Sequence, residues 1–263
     1  MLLKDKVVIV SGIGPGLGQE LSTLAAKEGA RAVVLAARTA AKLDVAEKEI
    51  NDLGLGTETL KIVTDIADET QCRALADRTA EAFGGIDVLF NSAYDPCTYD
   101  PIEDANMDDW HRTMNVSFFG TMHLTQACVQ HMKKAEGGSI VMIATMVEHK
   151  PMAMQGGYGA SKSALRSATK HLALELGQYN IRVNSCHMGW MWGPSVEAYF
   201  DWQHQETGRP KEDLIAEVTA NIPLGVIPDD GECAKSAVFF ASDYASVVTG
   251  AALDVNGGEY MTV

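Results

Sequence analysis

The stretch that decides the fold reads Val7-Val-Ile-Val-Ser11-Gly12-Ile-Gly14-Pro-Gly16-Leu-Gly18. A short apolar run that ends in a glycine-rich turn and leads into an amphipathic stretch is typical of a buried strand followed by a helix. Glycine allows the tight turn and a close approach to a pyrophosphate, and the helix N-terminus offers N–H groups to the phosphates. Any tight strand-to-helix turn favours glycine, but this context predicts phosphate binding. The residues predicted to bind are Ser11, Gly12, Gly14, Gly16, Leu17 and Gly18.

Short apolar runs alternate with longer amphipathic stretches along the rest of the chain. We predict strands at residues 7–11, 32–36, 58–63, 88–90, 139–143, 182–186 and 252–255. We predict helices near residues 17–28, 40–53, 69–83, 107–133, 159–178 and 233–242. Unbroken apolar runs are typical of strands covered on both faces, and the alternation indicates parallel pairing with right-handed crossovers. The sequence therefore predicts an α/β fold, a Rossmann-like, doubly wound parallel β-sheet with helices on both faces, in one domain of residues 1–263.

Residues 188–230 are the one long stretch without a regular pattern, and they hold Trp190, Trp192 and Trp202 of the four tryptophans. A long excursion within a regular domain is typical of a lid or binding loop. We predict a substrate-binding loop here, with a surface insertion as the alternative.

Composition narrows the choice of partners. The net charge of −14 disfavours nucleic acid and anionic membranes, which bind basic patches. The five cysteines are widely spaced and match no zinc pattern, so we expect reduced, mostly buried thiols and no metal site. No apolar run has the length of a signal peptide or a membrane span, so a cytoplasmic location is expected.

The end of the second predicted strand indicates which nicotinamide dinucleotide is used. Dinucleotide folds place an acidic residue there for the ribose 2′-OH of NAD, or an Arg for the 2′-phosphate of NADP. Ala37 has no carboxylate and Arg38 follows it. This favours NADP(H). NAD(H) remains the alternative, because Arg38 could be an ordinary solvated side chain and the glycine-rich turn contains no second basic residue.

The sequence Tyr158-Gly-Ala-Ser-Lys162 carries the predicted chemistry. Residues i and i+4 share one face of a helix, and a Lys ammonium beside a phenol lowers the phenol's pKa from about 10 toward working pH. Such a Tyr is an efficient general acid and base. This pair alone is common on helix surfaces, but here it follows a predicted strand and lies thirteen residues after Thr145. We therefore predict a catalytic role.

These motifs together resemble the short-chain dehydrogenase/reductase family along essentially the whole chain. Gly12, Gly16 and Gly18 match its T-G-x-x-x-G-x-G pattern, with Ser11 in place of Thr. The resemblance implies a catalytic set of Asn115, Thr145, Tyr158 and Lys162, in which Asn115 supports a water. It also implies cofactor contacts from Asp65, Ile66, Asn91, Ser92, Ala93, Tyr158, Lys162 and Gly189.

The chain departs from the family pattern at two places in the site. Thr145 stands where the family has Ser; it keeps the hydroxyl, and its extra methyl narrows the site. Gly193 stands where the family has a Thr that contacts the nicotinamide amide. We expect Ser195 or backbone groups to replace that contact, or the contact to be weaker.

The resemblance implies an NAD(P)-dependent oxidoreductase that interconverts a ketone and a secondary alcohol. Apolar side chains in the segments 94–100, 146–157 and 188–204 predict a bulky hydrophobic or aromatic substrate, with ordinary packing as the alternative. The pocket residues predicted are Met146, Met152, Trp190 and Trp192. Glu148, His149 and Lys150 are either a polar reader or solvent-exposed side chains.

Assembly and the competing functions follow from the same resemblance. It implies a homodimer or homotetramer through the helices predicted near 107–133 and 159–178, with the closed symmetry common to such assemblies. The alternatives in function are a non-catalytic cofactor-binding scaffold or sensor, and a dehydratase or epimerase that uses the same cofactor.

Overall fold

The computed structural model describes residues 1–262 and contains a seven-stranded parallel sheet in the order β3-β2-β1-β4-β5-β6-β7. The strands are β1 (Val7–Ser11), β2 (Ala32–Ala37), β3 (Glu58–Val63), β4 (Val88–Asn91), β5 (Gly138–Thr145), β6 (Ile181–Met188) and β7 (Ala252–Val255). The helices are α1 (Leu17–Lys27), α2 (Ala40–Asp52), α3 (Glu69–Phe83), α4 (Met107–Met114), α5 (Thr121–Lys134), α6 (Gly156–Leu176), α7 (Pro194–Thr207), α8 (Lys211–Thr219) and α9 (Asp230–Ala241).

The sheet is covered on both faces, as predicted. One apolar cluster contains residues of α1, α2 and α9, and the other contains residues of α3, α5 and α6. All of β1 and β4 is buried, as unbroken apolar strands require. The two edge strands are more exposed than β1 and β4. Ile62 is the one buried residue of β3, and Ala252 and Leu253 of β7 are exposed.

The strand order places the site. The chain leaves β1 toward β2 on one side, and β4 pairs with β1 on the other side. A doubly wound sheet opens a crevice at the carboxyl ends of the strands where the order reverses. The register pairs Ser11 with Ala36 and with Asn91. The residues that follow these strands therefore meet at one edge of the sheet.

The expectation of an irregular segment at 188–230 was wrong, because most of it is helical. Pro194 begins α7 with a φ suited to the first helical position, and Gly208 ends it in the left-handed conformation, at φ 67°. Phe200 of α7 and Leu214 of α8 are the buried residues of these helices. Their apolar stripe is too thin to produce a clear helical pattern in the sequence.

Other helices and strands also have bounds that differ from those predicted. The helix predicted near 107–133 contains a π-helical turn, Asn115–Gly120, between α4 and α5. Strands β5 and β6 reach Thr145 and Met188, further than predicted, because they pair along their whole length.

The five cysteines are buried and unpaired, as expected. Among residues 1–262, the helices are all too short or too polar to cross a bilayer.

Candidate active site

The glycine-rich turn is closely packed at two of its glycines. Gly12 has φ +88°, and a Cβ there would lie 2.5 Å from the backbone nitrogen of Ala93. A Cβ on Gly18 would lie 2.2 Å from the carbonyl oxygen of Gly12. Ser92 N–H donates to the carbonyl of Ser11 at 3.2 Å, which joins the ends of β1 and β4. These positions require glycine for packing of the turn itself.

The outer side of the turn fits an anionic group. Gly16 has φ +110°, and the one atom near a Cβ there would be a carboxylate oxygen of Asp230. The first turn of α1, which begins at Leu17, has no side-chain cap. The N–H groups of Gln19 and Glu20 donate to the carbonyl of Gly16, and those of Leu17 and Gly18 have no partner among the described residues. Such a helix start stabilises a phosphate through its N–H groups and its dipole. The residues present therefore fit a dinucleotide pyrophosphate.

Two cations follow the carboxyl end of β2. Arg38 is exposed immediately after β2. Lys42, in the first turn of α2, places its Nζ 3.6 Å from where a Cβ on Gly14 would be. The sequence reasoning missed Lys42, since it is not in the turn. The spacing Arg38-x-x-x-Lys42 at the start of a helix was the available signal.

The carboxylate of Asp230 lies on the opposite side of the turn. It is next to Gly193, which stands where the family pattern has a Thr. Asp230 Oδ2 is 2.5 Å from where a Cβ on Gly193 would be, so any larger residue at 193 would displace it. Burial, together with the charge of Asp229, raises the pKa of Asp230. Ser195, the expected replacement for the Thr contact, is exposed on α7. The polar side chain beside Gly193 is therefore that of Asp230, which the sequence analysis did not predict.

Asn91 is at the expected position, but its side chain has a structural role. Its Nδ2 donates to Thr125 Oγ1 at 3.0 Å and contacts Met142 Sδ at 3.3 Å, which fastens β4 to α5 and β5. Asp65 lies just after β3, where its Oδ1 accepts from the backbone N–H of Ala67 at 3.0 Å. Ile66 is buried near Gly120.

Three of the four predicted catalytic residues converge at the ends of β5 and α6. Thr145 is the last residue of β5, and Tyr158 and Lys162 lie one turn apart on α6. Lys162 is 2% exposed, and its Nζ donates to the carbonyl of Ile143 at 2.6 Å. The Thr145 hydroxyl is close enough to Tyr158 to lower the phenol's pKa.

The predicted direction of the Tyr158 pKa shift was wrong for this structure. Burial raises the pKa of Tyr158, and the Thr145 hydrogen bond offsets only part of that effect. Burial also lowers the pKa of Lys162 to about 8, against the opposing charge of Glu148. The recorded hydrogen bond of the Lys162 ammonium goes to Ile143 rather than to the phenol. Sharing a helix face is thus not enough to make the two groups pair.

Asn115 begins the π-helical turn, which packs against α6, and its catalytic role stays a prediction. It is exposed at the start of the π-helical turn, and no recorded hydrogen bond within residues 1–262 involves its side chain. Two residues later Ser117 is fully buried, and its Oγ accepts from the backbone N–H of Asp95 at 2.9 Å. The π-helical turn changes which residues face inward, and the sequence pattern does not reveal such a turn.

Tyr94 covers the catalytic pair. Its ring meets that of Tyr158 edge-on, with centroids 6.0 Å apart, and Lys162 Nζ lies 5.7 Å from its centroid. Tyr94 is in the segment 94–100 that was expected to form part of the pocket wall. A bulky aromatic ring therefore lies against the candidate general acid.

The four predicted pocket residues, Met146, Met152, Trp190 and Trp192, differ in their surroundings. Met146 is buried, and its Sδ is 3.3 Å from where a Cβ on Gly189 would be, so it supports the loop after β6 from below. Trp190 packs with Tyr199 and Phe200 of α7, at centroid distances of 5.3 and 6.0 Å. The partly buried Trp192 and Met152 remain candidate walls.

The side chains of Glu148 and His149 are buried rather than exposed to solvent. Their side chains are 1% and 9% exposed, so the solvent-exposed alternative was wrong for both. It was correct for Lys150, which is 41% exposed and forms an ion pair with Glu259 at 2.8 Å.

The fold and the site define an oxidoreductase that uses a nicotinamide cofactor, and comparisons with known proteins agree. The family model described as enoyl-(acyl carrier protein) reductase matches residues 12–259. An NADP-dependent (R)-specific alcohol dehydrogenase from Lentilactobacillus kefiri is 32% identical over 260 residues, with 97% of each chain covered. The chain belongs to the short-chain dehydrogenase/reductase family, as its motifs predicted.

Solved structures agree in fold. The crystal structure of levodione reductase matches with a TM-score of 0.91 at 27% identity and covers 98% of both chains. NAD⁺-bound xylitol dehydrogenase matches with a TM-score of 0.90 at 28% identity, covering 97% of this chain and 99% of its own. Relatives thus include users of either dinucleotide, and membership of the family does not decide the preference.

Proposed function

We propose that this protein interconverts a ketone and a secondary alcohol, with Tyr158 as general acid and base. The observation that carries the proposal is the convergence of Thr145, Tyr158 and Lys162 at the edge of the sheet that also holds the glycine-rich turn. A scaffold on the same fold would not need a Lys buried beside a Tyr, since burying an ammonium is costly.

The proposed chemistry divides the work between cofactor and protein. A bound nicotinamide supplies the hydride in reduction and accepts it in oxidation. Thr145 and Tyr158 hold the substrate oxygen, and Tyr158 donates its proton to that oxygen as the carbonyl is reduced. Lys162, when protonated, stabilises the phenolate that is left. In the oxidative direction Tyr158 takes the alcohol proton back.

We propose that NADP(H) is preferred. Arg38, exposed directly after β2, and Lys42, beside Gly14 of the turn, support this, because a cation at the end of the second strand suits a ribose 2′-phosphate. The carboxylate of Asp230 repels phosphate when ionised, and its raised pKa reduces that repulsion toward low pH. The test is a titration of the purified protein with NADPH and with NADH, followed by nicotinamide fluorescence. Binding of neither would remove the proposed function.

The Arg38→Leu variant is expected to bind NADPH about tenfold more weakly and NADH about as well as wild type, since one charge-assisted contact is lost. Lys42→Met should shift the preference in the same direction. Arg73→Leu is the matched control, because Arg73 is exposed on α3 and pairs with Glu69. An unchanged ratio of the two Kd values in Arg38→Leu would contradict the assignment of Arg38.

The proposal extends to the substrate and to the assembly. We propose a bulky hydrophobic substrate, held between Tyr94 and the aromatic cluster of Trp190 and Tyr199. We also propose that residues 1–263 form one domain. We also propose a homodimer or homotetramer, since Phe119 and Leu174 leave apolar surface exposed at the π-helical turn and on α6. Light scattering of the purified chain tests the assembly.

A further inference from the structure

The segment that joins β4 to α4 contains no helix or strand, and it contacts the first turn of α6 at two places. The Tyr94 ring meets that of Tyr158 edge-on. Three residues further along, Cys97 Sγ is 2.7 Å from where a Cβ on Gly157 would be. Cys97 is buried and has φ +66°, a conformation that persists in a residue other than glycine only where its surroundings hold it. The segment therefore has one defined shape beside the candidate general acid.

Asp95 holds this segment to the rest of the protein. Among the described residues, every recorded hydrogen bond between residues 93–100 and other parts of the chain has Asp95 as one partner. Its Oδ2 accepts from Arg112 Nε at 3.0 Å, and its Oδ1 accepts from the Thr113 hydroxyl at 2.7 Å. Its backbone N–H donates to Ser117 Oγ at 2.9 Å. One residue thus fastens the segment to both α4 and the π-helical turn.

The same carboxylate also shapes the segment from within. Asp95 Oδ1 accepts from the backbone N–H of Cys97 at 2.9 Å, which fixes the turn between the two residues that contact α6. Burial raises the pKa of Asp95, but the hydrogen bonds from Arg112 and Thr113 outweigh burial and lower that pKa below its usual value. Hydrogen bonds to an ionised carboxylate are stronger than those to a neutral amide. Asn at this position would therefore keep the volume and weaken the attachment.

We propose that Asp95 is a positioning residue for substrate selection, which holds the Tyr94 ring beside Tyr158 as a fixed wall for a ketone that carries an aryl group. Tyr94 is 49% exposed, so part of its ring is free to contact a substrate. Aromatic rings attract one another in offset or edge-on geometry by about two- to tenfold in binding beyond the area they bury, and this gain requires a fixed orientation. The role rests on the proposed function and narrows its substrate class.

The test compares acetophenone with cyclohexyl methyl ketone, which differ in aromaticity but hardly in size. The readout is the ratio of their two kcat/KM values, expressed relative to the same ratio in wild type, so that the intrinsic reactivities of the ketones cancel. Tyr94→Leu should lower the ratio about fivefold, because the contact between rings is lost. Asp95→Asn should lower it about threefold, because the ring remains but its orientation is no longer fixed.

The double variant decides whether Asp95 acts through Tyr94. Adding Asp95→Asn to Tyr94→Leu should change the ratio no further, because no ring is left to position. An equal effect of Asp95→Asn with and without the ring would overturn the inference. So would an unchanged ratio in Asp95→Asn, because a purely structural role lowers both kcat/KM values by the same factor. Asp109→Asn is the matched control, since it removes the other carboxylate that pairs with Arg112 and should keep the wild-type ratio.

The Cys97 thiol gives a second readout that needs no substrate. All five cysteines are buried, so dithiodipyridine should react slowly with the folded wild type. Asp95→Asn should speed the reaction of one thiol at least about tenfold, because local opening of the segment becomes easier, and Cys97→Ser in that variant should abolish the fast phase. An unchanged rate would show that Asp95 does not hold the segment and would overturn the inference.

Two further outcomes are kept apart by these measurements. If Asp95→Asn does not fold, Thr113→Val removes one donor to the carboxylate at nearly the same volume and should lower the ketone ratio in the same direction. If wild type binds a nicotinamide dinucleotide yet reduces no ketone in a broad panel, the proposed function fails and the selection of aryl ketones fails with it. The thiol reaction still decides separately whether Asp95 holds the segment.

Discussion

Replacing Tyr158 with Phe is expected to lower kcat at least about a hundredfold, within the usual contribution of general acid–base catalysis. The ring would still pack edge-on against Tyr94, so the pocket should keep its shape. The proton for the substrate oxygen would then have to come from water, since the Thr145 hydroxyl is too weak an acid. Binding of the dinucleotide should be nearly unchanged, because the phosphate turn is not altered.

The measurement is steady-state kinetics in both directions, with a fluorescence titration of the cofactor. Tyr179→Phe is the control, because Tyr179 lies at the far end of α6 under the Lys133 ammonium. Near-wild-type turnover in Tyr158→Phe would remove Tyr158 from the chemistry and leave the fold and the family unaffected.

Replacing Gly18 with Ala is expected to damage both stability and cofactor binding. The new Cβ would lie 2.2 Å from the carbonyl oxygen of Gly12, and neither backbone segment can move without shifting α1 against β1. Overpacking of this kind costs about 1–3 kcal/mol of unfolding free energy. Because α1 carries the phosphate-facing N–H groups, we expect NADPH affinity to fall at least about tenfold as well.

Urea unfolding and NADPH titration measure the two effects on one preparation. Gly177→Ala is the matched control, since a Cβ there meets nothing within 4 Å and its φ is negative, at −56°. That variant should be neutral or slightly stabilised, because Ala has less freedom than Gly in the unfolded chain. Wild-type affinity and stability in Gly18→Ala would mean that α1 can slide away from the turn at little cost.

Much of the architecture could be predicted because it depends on local pattern. Apolar runs such as Val7–Ser11 can be satisfied only between two layers of helices, and the run itself shows that requirement. Gly12 and Gly18 were predicted for phosphate approach, and the structure adds that backbone packing alone already requires glycine there. The helix pair Pro194–Thr207 and Lys211–Thr219 was missed because its contacts with the core are few.

The sequence by itself determined the sheet, the family and the presence of Tyr158 and Lys162 one helical turn apart. Tertiary structure decided the charges around them. Asn115 is exposed, Glu148 is buried against His187, and Asp230 lies beside the glycine-rich turn, and the sequence pattern shows none of these three placements. The physical reason is that periodicity reports which face of an element is buried, whereas a pKa depends on groups brought together from distant elements. His187 and Glu148 are 39 positions apart in the chain and 2.6 Å apart in the fold, because β6 pairs with β5.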